Sequence, residues 1–219
     1  MAGAPSSEQH VRELRVIEKL RDGSQVEIRR LTPSDAPLLA EAFEHLSFES
    51  RRLRFMAAKP QLSPRELAYL TNVDGYHHEA LGARDHRTGE GVGVARFVRL
   101  EGEPQVAEVA VTVADAWQRR GLGTLLLEHL ADQARAQGIT HFSALISSEN
   151  KAVLELLRHA GGEIVPTAGG AGVVEYRTAL GSAGIASDLR AALRSAASGR
   201  LHLPRPLAGL LGTLLRSAH

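Results

Sequence analysis

The chain has no cysteine among its 219 residues. That excludes disulfides, thiolate zinc sites and a cysteine nucleophile together, and it permits a reducing compartment. Aromatic residues are scarce at 4%, with Trp117 the single tryptophan, and the only lysines are Lys19, Lys59 and Lys151. No window approaches the roughly 18 uninterrupted apolar residues of a membrane-spanning helix. Met1 to His10 are small and polar, so the expectation is no secretory signal and a cytoplasmic location. Nor is there a charge excess: 26 basic residues against 25 acidic ones leave a formal charge of +1. A duplex-binding protein concentrates positive charge, so nucleic acid is not an expected partner. What remains is an ordinary globular composition, 43% hydrophobic and 23% charged.

Residues 1–13 read as a leader, 14–180 as one domain and 181–219 as a C-terminal helical extension. Val16–Leu20 and Gln25–Leu31 alternate in polarity around Asp22-Gly23, a hairpin signal. Leu38, Leu39, Ala42, Phe43 and Leu46 then fall at helical spacing after Thr32-Pro33-Ser34-Asp35. A second helix is expected through Ser50–Phe55. Ser63-Pro64-Arg65-Glu66 is a capping box with proline at the first helical position, opening a third. His78–Arg84, Gly91–Leu100 and Val106–Val113 read as three strands of an antiparallel meander. The period then switches to helical, with Leu122, Leu125, Leu126, Leu130 and Ala134 in one stripe that stops near Gly138. Ile139–Ile146 reads as a strand, Asn150–His159 as a helix, and Glu163–Pro166 and Gly172–Thr178 as two final strands. The fold class is α/β, with a mixed, mostly antiparallel sheet flanked by helices. In the extension, Leu207, Leu210, Leu211, Leu214 and Leu215 form an amphipathic stripe behind Pro206, suited to docking on this domain or on a second copy in a homodimer.

The chemistry concentrates at Gln118-Arg119-Arg120-Gly121-Leu122-Gly123-Thr124, between a valine-rich strand and a strongly amphipathic helix. Glycine lets the backbone approach a ligand, and the first helical N–H groups have no partner within the helix. Those donors and the positive end of the helix dipole suit a pyrophosphate. It is not a dinucleotide fingerprint, because Leu126 stands where the third glycine would be, and no Gly-Lys-Ser/Thr of a mononucleotide loop is present.

Gln-x-x-Gly-x-Gly after Val111-Thr112-Val113 resembles the coenzyme-A motif of the GNAT N-acetyltransferase superfamily. Leu20-Arg21-Asp22-Gly23, Arg29-Arg30-Leu31, Leu46 to Phe55 and Leu62 to Thr71 are similar to the acetyltransferase domains of bacterial Pat-type protein lysine acetyltransferases. Ala107-Glu108-Val109-Ala110-Val111 resembles the segment in which those enzymes carry a catalytic glutamate. The resemblance implies the GNAT fold, acetyl-CoA as co-substrate and no metal. It also implies a protein substrate with an acceptor lysine, of the acyl-CoA synthetase kind. A small-amine acetyltransferase and a non-catalytic acetyl-CoA sensor are the alternatives.

Strand alternation puts Glu108 on one face with Val106, Ala110 and Thr112. A carboxylate among valines is costly to bury unless paired or functional. The resemblance makes Glu108 the general base; an ion pair with an arginine such as Arg96 is the competing use. By the same resemblance, Val111 and Val113 bind the pantetheine arm through their main chain. Gln118, Arg119, Arg120, Gly121, Leu122, Gly123 and Thr124 would hold the pyrophosphate, and Asn150 would touch the cofactor. Many GNAT enzymes place a tyrosine seven residues after that asparagine as general acid. Leu157 stands there, so no general acid is assigned. His77, His78 and His86 are expected on the surface or in turns, and Glu101 and Glu103 in a plain acidic turn.

Overall fold

A computed structural model of the chain describes residues 14–48, 50–51, 59–148, 154, 163–165, 173–182, 185, 187 and 189–191. The expected helix over 150–159, with Asn150 and Leu157, lies outside those residues but for position 154. The 206–216 stripe and positions 52–55 of the expected 50–55 helix lie outside them too.

The elements are β1 (Arg15–Lys19), β2 (Gln25–Arg30), α1 (Ala36–Glu44), α2 (Pro64–Thr71), β3 (His78–Asp85), β4 (Gly91–Leu100), β5 (Glu103–Val113), α3 (Leu122–Ala136), β6 (His141–Ser147), β7 (Glu163–Val165) and β8 (Val173–Ala179). Eight strands form one sheet in the order β1-β2-β3-β4-β5-β6-β8-β7. Among the described residues only β5 and β6 pair in parallel, so the sheet is mixed and mostly antiparallel, as the residue pattern predicts.

Local chemistry explains the elements that matter for the site. In the β1–β2 hairpin, the Asp22 carboxylate accepts the Ser24 N–H at 3.1 Å, and Gly23 takes φ +89°. Helix α2 begins on the reciprocal box: the Glu66 N–H donates to Ser63 Oγ at 3.3 Å, and the Ser63 N–H donates to the Glu66 carboxylate at 2.9 Å. That satisfies two of the donors a helix start leaves open. Helix α3 ends at Ala136, and Gly138, two residues on, turns the chain away at φ +78°.

The helices cover opposite faces. The buried side of α3 carries Leu122, Leu126, Leu127, Leu130, Ala131 and Ala134; Leu125, expected in that stripe, is only half-buried. Leu126 packs so closely that a Cβ on Gly93 would come within 3.0 Å of it. Helices α1 and α2 lie on the other face, with their own small core of Phe43, Leu46 and Leu62. Ile185 and Leu189, in the expected C-terminal extension, are buried in the main core.

Two sequence expectations need correction here. Glu103 and Pro104 belong to strand β5 rather than to a turn, and Glu103 pairs with Arg177 of β8 at 2.7 Å. His78 is not a surface histidine but is buried beneath the Tyr69 ring, with centroids 5.2 Å apart. Burial, and then the nearby Arg96 charge, pull its pKa down from 6.5 to about 4. The unfolded chain therefore binds the extra proton first. Stability is complete above pH 6.5 and is lost as the pH falls from there to about 4, by roughly 3 kcal/mol. Denaturant midpoints across that range should decline for the native chain. His78→Gln should flatten the slope, and an unchanged slope would place the titration elsewhere.

Candidate active site

The parallel pairing of β5 with β6 stops early. Val106, Ala107 and Glu108 pair with His141, Phe142 and Ser143. Beyond that rung β6 turns all its pairing to β8, as far as Ser147 with Val173, while β5 continues to Val113 paired only with β4. The two strands part like a V, and Glu108 stands on the last shared rung.

The open edge of β5 can be assigned from backbone direction. The Ala114 N–H donates to Val92 O on β4 at 2.9 Å. Main-chain groups of successive strand residues point to alternate edges. Those of Val109, Val111 and Val113 therefore face the cleft. The Gln118 side-chain amide, donating to Val113 O at 3.2 Å, lies on that side. A β-strand edge with unpaired N–H and C=O groups is a template for an extended, amide-bearing chain.

The cleft runs into the start of α3. Arg119 takes φ +61°, uncommon for a residue with a side chain, and Gly121 takes φ +94° as the helix N-cap. No side chain caps this end. The first intrahelical bond is that from the Leu125 N–H to Gly121 O at 3.1 Å. The N–H groups of Leu122, Gly123 and Thr124 precede it and are left to point out of the helix start. Such a concave run of donors with the positive helix end is an anion cradle.

Cations surround it. A cavity of about 310 Å³ is lined by Lys19, Arg21, Arg120 and Arg190 around Gly121 and Thr124, with Glu128 as the one acid, paired with Arg190 at 2.7 Å. Arg120 stacks over Trp117 at 4.8 Å and pairs with Asp22 at 2.8 Å. The Arg21 N–H donates to Arg120 O at 3.4 Å. The β1–β2 hairpin thus forms one wall of the cradle. Sequence reasoning missed Lys19 and Arg21, although Leu20-Arg21-Asp22-Gly23 was among the matching segments.

A third residue missed is Asp115, which anchors the connection after α1. Its carboxylate accepts the Ser47 N–H at 2.9 Å and the Ser50 hydroxyl at 2.7 Å. Burial opposes ionisation, but these bonds outweigh it and hold Asp115 below the ordinary carboxylate range. Arg51, nearby, is held by main-chain carbonyls: it donates to Leu46 O at 3.0 Å and to Pro60 O at 2.8 Å.

Glu108 is half-buried. In register it opposes Val98 of β4, which opposes His78 of β3. Arg96, two residues before Val98, shares this face and attracts Glu108 electrostatically. Among the described residues no group of three or more His, Asp or Glu side chains could hold a metal ion.

A strand pair that splays at a carboxylate and leads to an anion cradle at a helix start defines an acyl-CoA-dependent transferase of the GNAT type. Residues 41–161 match the Acetyltransferase (GNAT) family, and the chain belongs to it. It is an acetyltransferase, and acetyl-CoA is the family's acyl donor. The chain is 34% identical to Acetyltransferase PA5475 of Pseudomonas aeruginosa over 142 residues, 64% of this chain and 76% of that protein. It is 29% identical to Acetyltransferase Pat of Mycolicibacterium smegmatis over 143 residues, 65% of this chain but only 43% of that protein's length. The GNAT domain of S. lividans PAT superposes with a TM-score of 0.69 at 32% identity, covering 76% of this chain and 97% of that domain.

Proposed function

We propose that the chain transfers acetyl from acetyl-CoA directly to a lysine ε-amine of a protein in the cytoplasm, with Glu108 as general base. The observation that carries this reading is the place of Glu108, on the last rung that β5 and β6 share. A cofactor lying along the open edge of β5 brings its thioester to that rung.

The mechanism follows from the groups in place. The main chain of Val111 and Val113 binds the pantetheine amides, and the segment from Gln118 to Thr124 holds the pyrophosphate, with Arg119 and Arg120 adding charge. A lysine amine, pKa about 10.4, is almost wholly protonated at neutral pH. Glu108 accepts its proton, directly or through a water, as nitrogen attacks the thioester carbon. The C–N bond forms, the C–S bond breaks, and the electron pair leaves on sulfur. Main-chain N–H groups of β5 polarise the carbonyl. The transfer is direct, and a cysteine acyl-enzyme in particular is excluded because the chain has no cysteine.

A protein acceptor is supported by the likeness to proteins named Pat, and an enzyme of the acyl-CoA synthetase kind is the first acceptor to test. Release of free CoA from acetyl-CoA should rise at least tenfold over background with such an enzyme as acceptor. It should stay at background with a panel of small amines that carry no acid group. Strong release with a small amine alone would move the assignment to small-molecule acetylation.

A further inference from the structure

Arg96 is buried and only partly satisfied by its neighbours. It is 1% exposed, yet its Nε and Nη2 have no hydrogen-bond partner. Its guanidinium lies 4.9 Å from the Tyr69 ring centroid and bonds to Tyr69. A buried guanidinium with two idle donors is an expensive arrangement, unless something arrives to accept from them.

Arg96 is itself part of the wall of a cavity. A space of about 90 Å³ between α1 and the sheet is lined by Arg96 with apolar residues that include Leu38, Phe43, Leu70 and Val94. Water occupies about 30 Å³ in the liquid, so the space takes a group of a few heavy atoms. The other charged residues at its wall are already engaged. Arg29 bonds to Asp35 at 2.8 Å and Arg84 to Glu27 at 2.9 Å. Arg96 alone of these charged groups presents buried nitrogens without a partner.

The cavity also adjoins the chemistry. Arg96 opposes Ala110 in register, between the Val98–Glu108 pair and the Val94–Thr112 pair. Diagonal neighbours on one sheet face stand about 7–8 Å apart. A group whose reacting carbon or nitrogen sits at Glu108 reaches Arg96 through two or three further atoms.

We propose that Arg96 and this cavity form a carboxylate subsite for a substrate that reacts beside Glu108. The planar guanidinium fork matches a carboxylate in two parallel bonds. The apolar walls suit the short methylene chain that would carry it. The carboxylate belongs either to the donor, as a dicarboxylic acyl thioester, or to the acceptor, as an amine that also bears an acid group. On the donor side the step is unchanged: the C–N bond forms, C–S breaks, CoA leaves as thiolate, and the amine proton goes to Glu108. The inference rests on the transferase reading only for where the reacting atoms sit.

The first probe is succinate alone, titrated into the native chain by calorimetry. Saturable binding is expected, weakened about 10–100-fold in Arg96→Met, the loss of charged hydrogen bonds, and less so in Arg96→Lys. Transfer from succinyl-CoA and acetyl-CoA is then compared, and transfer to β-alanine is compared with transfer to its amide, which lacks the acid group. If the donor carries the group, the succinyl-to-acetyl ratio falls at least tenfold in Arg96→Met. If the acceptor does, the β-alanine-to-amide ratio falls instead. Absence of succinate binding to the native chain, or both ratios untouched by the substitution, overturns the proposal. The native titration needs no variant to fold. Failure of acetyl-CoA itself to bind would overturn the transferase reading and leave the succinate result to be read separately.

Discussion

Glu108→Gln should lower turnover by about 10²–10⁴-fold, the range a positioned general base supplies, with acetyl-CoA affinity within about threefold of the native value. The amide keeps the shape and half-buried position of the side chain on β5 but cannot take a proton. The deficit should shrink as the pH rises towards the amine pKa, because free amine then needs no base. The competing use of this carboxylate, as counter-charge to the buried Arg96, makes a different prediction. Removing one partner of a buried charge pair is strongly destabilising. The melting temperature and the cofactor affinity would then fall together with the rate. Measuring kcat, Kd and Tm on one preparation separates the two.

Gly121→Val should weaken acetyl-CoA binding about 10–100-fold. Gly121 sits at φ +94°, where a β-branched residue is a genuine outlier, and forcing it there costs about 1–3 kcal/mol. The chain escapes that strain by re-aiming the N–H groups of Leu122, Gly123 and Thr124. Gly102→Val provides the control. Gly102 also has positive φ, at +82°, but a Cβ there meets nothing within 4 Å, and it lies in the β4–β5 turn. It should cost stability without touching cofactor affinity. Equal losses of affinity in both variants would show that Gly121 acts through the fold rather than through the cradle.

Much of this site is legible in the residues because its parts are contiguous. A valine strand, a Gly-x-Gly turn and a leucine helix follow one another within about 30 residues, and each announces itself by period or by φ. Glu108 stands out for the same reason, as a charge in an apolar strand. Contributions from distant segments are not legible. The hairpin wall of Lys19 and Arg21 meets Arg120 across about 100 positions. The depth of Arg96 and His78 depends on β3–β4 register and on the Tyr69 ring of α2 lying over them. Polar type alone suggests surface for such residues. The opening of β5 from β6 is likewise a property of pairing, with no residue that spells it.

The most direct test of the account is the intact mass of an acyl-CoA synthetase-type protein after incubation with acetyl-CoA and the native chain. Peptide mapping follows, and Glu108→Gln serves as the control. The account predicts a gain of whole acetyl groups on lysine, dependent on both acetyl-CoA and the chain and almost absent with the variant. Equal lysine acetylation by native and Glu108→Gln chains would contradict it, because the carboxylate would then have no part in the transfer.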